Sequence, residues 1–230
     1  MTADSLHTPA RRVGPARPTG DPLVHFLPVA GACYVLAWVL GLLLGPSAPS
    51  PTAPAADVRA LYVDHAGGVV LQSLLVHGVA GVALVLLALG FARALSSWPS
   101  EAGWIRITGL AAALVSLVQV GLALTAVAVA DGASASTSKA LFSTVNYADT
   151  VKLILLASFA VTVTWAATRS GALPGWIRVL GHLLAPLLVV GGLAFVIDNS
   201  ALYLVLVVSL FVLLAWAAAA SWVIGRRRPA

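Results

Sequence analysis

An all-α bundle of six membrane spans is the fold this sequence predicts. Three observations predict it: the scarcity of charge, the gathering of apolar residues into runs of membrane length, and the alternation of basic residues between those runs. Of the 230 residues, 60% are hydrophobic and 9% are charged, and the mean hydropathy is +0.98. A soluble domain carries roughly 25% charged residues. So few charges cannot cover a water-facing surface, whereas lipid accepts apolar surface.

Residues 1–22 are polar and rich in Pro and Gly, and read as a disordered tail. Arg11, Arg12 and Arg17 in it suit anionic headgroups. The first span is expected at 23–45. A secretory signal core has about 7–15 apolar residues; this run is longer, so it reads as an uncleaved span. The single cysteine, Cys33, lies within it and excludes an internal disulfide. A stiff tract, Pro46 to Pro54, follows, and then a short surface helix from Ala56 to His65, with Asp57 near its positive end.

Further spans are expected at 67–91, 107–130, 147–168, 176–197 and 200–224, each near the ~20 residues a bilayer requires. The fourth is the least obvious. Its uncharged stretch is short, so it takes in Asp149 and Lys152 at its outer end, and a helix is expected to lead into it from Lys139. Asp198-Asn199 splits the last two spans with a turn and an N-cap. Residues 225–230 form a basic tail.

Basic residues set the orientation. Ten of them, Arg11, Arg12, Arg17, Arg93, Arg106, Arg169, Arg178, Arg226, Arg227 and Arg228, fall on the side of both termini. Arg59, Lys139 and Lys152 fall on the other. That asymmetry predicts cytoplasmic termini and a multi-pass protein of the cell membrane. The cations sit in short clusters between apolar runs rather than along one face, which argues against nucleic acid as a partner. The lipid bilayer is the expected partner. Gly41-x-x-x-Gly45 has a spacing that lets helices approach closely, and leaves a homo-oligomer or a partner membrane protein open.

Polar groups within spans are where chemistry should be sought. His77, Gln119 and His182 are the intramembrane candidates. Asp64, His65, Asp149, Lys152 and Asp198 form an outer set. Asp149 and Lys152, at i and i+3, share a helix face and can pair. Asp64, His65 and Asp198 could offer ligands to a cation, although capping and loop hydrogen bonds explain them more simply. His77 and His182 could clamp a haem iron only at a common depth; hydrogen bonds to a carbonyl or to Gln119 are the simpler expectation. No Asp, Glu, Lys or Arg is expected in the middle of a span, which weighs against proton or ion coupling. The zinc-helix, nucleophile-elbow and phosphate-loop patterns are absent. No catalytic residue, metal or cofactor is expected.

Two stretches, Asp57-Val-Arg-Ala-Leu-Tyr-Val-Asp-His65 and Arg169-Ser-Gly-Ala-Leu-Pro-Gly-Trp-Ile-Arg-Val-Leu-Gly181, join the six spans and the arginine-rich end in a further reading. Together they resemble a family of bacterial membrane proteins defined by a domain of unknown function. The resemblance runs from about Leu23 onward and implies a six-helix fold, but no activity or site residue. The function expected is therefore that of a non-enzymatic scaffold, partner or envelope component. The alternatives are a permease for small neutral or lipophilic molecules, and a haem-binding redox protein using His77 and His182.

Overall fold

The computed structural model describes residues 21–226; the expected tail, apart from its last two residues, and the final four residues of the chain lie outside them. Asp21 caps a short helix α1 (Pro22–His25), its side chain accepting from the Leu23 N–H at 3.0 Å. Proline opens α1, where its missing N–H costs nothing. The chain turns at Phe26 into α2 (Leu27–Leu44), the first span.

Next come α3 (Ala55–Asp64) and α4 (Ala66–Ser73), broken apart at His65. A π-helical segment, Leu74–Val79, joins α4 to α5 (Ala80–Ala94). The second span is thus a single rod, Ala66–Ala94, with a widened turn inside it. α6 (Pro99–Val129) and α7 (Ala135–Arg169) are the third and fourth spans. α8 (Gly175–Gly192) runs into a 3₁₀ turn, Leu193–Phe195, as the fifth span, and α9 (Ser200–Gly225) is the sixth.

Sequence and structure agree on six long apolar helices, and no strand occurs among the described residues. Asn199 caps α9 as expected, accepting from the Ala201 and Leu202 N–H groups at 2.9 and 3.3 Å. Between α7 and α8, Gly171 adopts φ +64°. It closes a turn in which the Ala172 N–H reaches the Ala167 carbonyl and the Gly171 N–H that of Thr168, a helix ending that favours glycine.

Two helices begin ahead of the spans placed on them. α6 starts at Pro99, ahead of 107, and α7 at Ala135, ahead of the expected lead-in at Lys139, because Ser134 caps it there by accepting from the Thr137 N–H at 3.2 Å. At 1.5 Å per residue α7 is about 52 Å long, well beyond a ~30 Å hydrocarbon layer. Its first turns therefore extend past the membrane beside α3, against which they pack.

Each span packs against the next in sequence, and α9 returns to α2, so the six helices close a ring in chain order. Glycines permit the close approaches. A Cβ on Gly181 would strike Thr164 and Trp216, and one on Gly109 would strike Ala88 and Phe159. The half of the ring nearer Arg93, Arg169 and Arg226 is filled by a triangle of buried rings. Phe91, Phe159 and Trp216, from the second, fourth and sixth spans, have centroids 6.0–6.2 Å apart. Trp216 donates its indole N–H to Thr164 Oγ1 at 3.1 Å.

Candidate functional site

The half of the ring nearer α3 is built differently. Lys152 is the midpoint of α7, about 25 Å from either end. Its side chain is 2% exposed and points inward. An isolated ammonium in such a place would be very unfavourable, so partners must surround it. Asp149, one turn earlier, places Oδ1 at 2.5 Å. Gln119 Oε1 on α6 accepts at 2.9 Å, and His77 Nδ1 in the π-helical segment lies at 3.2 Å. The Trp38 ring of the first span stands 5.6 Å from the ammonium, within cation–π range.

A lysine ammonium has three protons. Three acceptors meet it here, from the second, third and fourth spans. Gln119 completes its own bonding by donating to the Val145 carbonyl at 3.1 Å. Thr150, beside Asp149, donates to the Gly192 carbonyl at 2.9 Å and so ties the fourth span to the fifth. The charges of Asp149 and Lys152 cancel, and each polar atom of the ammonium finds a partner within the protein.

Asp149 and Lys152 thus stand inside the bundle, among polar residues of the neighbouring spans. Asp149 and Lys152 do not stand at an outer helix end, because α7 continues for more than three further turns beyond them. They join His77 and Gln119, which the sequence reading had placed in a separate set. The expected span began at 147 and took in Asp149 and Lys152, which set them near its outer end and apart from His77 and Gln119.

The other candidates are not brought into this centre. His182 is exposed on α8. The π-helical segment carrying His77 packs against α2, α4, α5 and α6, and α8 against α7 and α9, so the two histidines do not face one another. The haem geometry imagined for them is absent. Asp64 and His65 are exposed at the break between α3 and α4. Asp198 is exposed too, and accepts from Thr52 Oγ1 at 2.6 Å. Among the described residues no three His, Cys, Asp or Glu side chains gather as metal ligands would.

The loops at this end are pinned by cations on carbonyls. Lys139 donates to Pro51 and Ala53 at 2.7 and 2.8 Å, and Arg59 to Ala130 and Asp131, each at 2.9 Å. Beneath them Tyr62 packs with Val58, Leu61 and Phe142. Burial pushes its phenol up to about 12. At the opposite end Arg93 bonds Asp21 at 2.8 Å and Arg169 bonds Glu101 at 3.1 Å.

Two participants escaped the sequence reading. Trp38 had a usable signal: it sits deep in a span, away from the interface where Trp normally anchors. The π-helical turn that aims His77 had none, since Leu74–Val79 reads as ordinary helix. Comparisons with family models, curated proteins and solved structures give no match to this chain.

Proposed function

We propose that this integral membrane protein is a non-enzymatic component of the cell membrane, a scaffold or partner. In this reading the polar centre serves as a clasp fixing the first four spans. The saturation of Lys152 carries the proposal. Its three protons are spent on Asp149, Gln119 and His77, which leaves none for a substrate.

A double-mutant cycle in detergent tests the clasp. Lys152→Met strands Asp149 without its cation and lowers the melting temperature sharply. Lys152→Met with Asp149→Leu removes both charges and restores most of the loss, as replacing a whole buried pair commonly does. A double variant as unstable as the single one, or a purified protein with robust turnover, defeats the proposal.

Both termini are cytoplasmic in this reading. With Lys152 interior, the remaining basic residues divide ten to two. A reporter fused after Ala230 that is active on the external side would reverse the orientation. Membership of the bacterial family named above belongs to the same proposal, supported by the six spans and the turn at Gly171.

One observation favours a second reading, a permease for small neutral or lipophilic molecules. The π-helical turn adjoins the polar centre, and such turns occur frequently at functional sites. Flux measurements on deletion and overexpression strains decide it; equal fluxes across a broad panel remove it.

A further inference from the structure

The second span has two contrasting sides at its π-helical segment. His77 meets Lys152 in the interior, while Leu74, Gly78 and Val79 form the end of a groove of about 620 Å³ between the first three spans. The groove continues along Val82 and Leu86 of α5 and along Phe26, Val29 and Cys33 at the start of the first span. Its walls are apolar apart from the Cys33 thiol. Val29 and Val82 are 57% and 55% exposed, so it opens toward lipid.

Its length and its ends say what fills it. From Leu74 to Leu86 the helix rises about 18 Å, close to the ~15 Å depth of one leaflet's hydrocarbon. The end at Leu74 is apolar. Beyond Leu86, two turns further on the same face, stands Arg93, whose side chain is 59% exposed. Only its Nε is bonded among the described residues, to Asp21. His25 is exposed next to Phe26 at the same mouth. An apolar channel of leaflet depth with a guanidinium on the same face about 10 Å beyond its last lining residue complements an anionic headgroup, with its glycerol between, carrying a long chain.

We infer that the groove seats one acyl chain of an anionic phospholipid, with the phosphate held at Arg93. This site is separate from the clasp and does not depend on it. The chain would lie along the π-helical turn, so the lipid braces the same segment that presents His77.

Native mass spectrometry of the full-length protein, with phosphatidylglycerol added in mild detergent, tests the site. A single retained phosphatidylglycerol per chain is expected. Val82→Trp, at an exposed position, fills the groove and should lower retention about tenfold. Arg93→Gln should lower retention of phosphatidylglycerol but leave that of phosphatidylcholine unchanged. Alkylation of Cys33, the only thiol, gives a second readout: phosphatidylglycerol should slow it in the parent protein and not in Val82→Trp. Equal retention by the parent and Val82→Trp would mean non-specific annular lipid and overturn the inference. So would an unprotected Cys33, or an Arg93→Gln variant that retains phosphatidylglycerol normally.

Discussion

The two halves of the ring solve one problem by opposite means. Near the arginine-rich end, Phe91, Phe159 and Trp216 meet across the bundle and fill it with rings. Near α3 the same space is crossed by Lys152, Asp149, Gln119 and His77. In lipid, no hydrophobic force drives helices together, so packing and interhelical hydrogen bonds must do it. The aromatic half tolerates small changes in proportion to the space they open. The polar half is less forgiving, because each of its members leaves another unpaired when removed.

The largest effect should therefore come from Lys152→Met. Breaking a buried pair by removing one partner costs about 3–5 kcal/mol, measurable as lost stability in a denaturant titration in detergent. Phe159→Ala should follow at about 2 kcal/mol. Lipid cancels most of the transfer gain of a ring, and the loss is mainly that of an unfilled cavity. Should Phe159→Ala exceed Lys152→Met, the contrast between the halves is wrong.

Gln119→Leu should cost about 1 kcal/mol, since Lys152 keeps two acceptors and Val145 loses a donor. Thr164→Val, which removes the acceptor of the Trp216 N–H, should cost about 0.6 kcal/mol. The same denaturation assay ranks these two.

The smallest effect lies outside both halves. Arg93, followed by the Leu23 N–H, holds the Asp21 carboxyl below its ordinary value of 3.8. A depressed carboxylate stabilises the fold fully above that value and loses its contribution as pH falls through the folded-state pKa. Melting temperature measured from neutral pH down to about pH 3 should fall slightly less in Arg93→Gln than in the parent. Exposure and salt screening keep that difference small.

The six spans were legible because a bilayer imposes its thickness on sequence. Asn199 and Gly171 marked helix boundaries through local chemistry that needs no tertiary information. The candidate centre was half legible. Asp149 and Lys152 stood out as an i, i+3 pair, and His77 and Gln119 as polar residues in apolar surroundings. What joined them was not readable. It depends on how far α7 extends past the membrane, on how the ring orders its helices, and on a turn whose hydrogen-bond pattern has no compositional mark.

That turn fixes the length of the chain at a place far from any loop. A π-helical segment holds a residue more than the same rise of α-helix would need. Were that residue wound into ordinary α-helix instead, one part of the rod would rotate against the other by about 100°. Phe91 and His77 could then no longer both face inward. A further insertion along the rod, ordinarily harmless in a surface turn, should be selected against as strongly as in a reading frame.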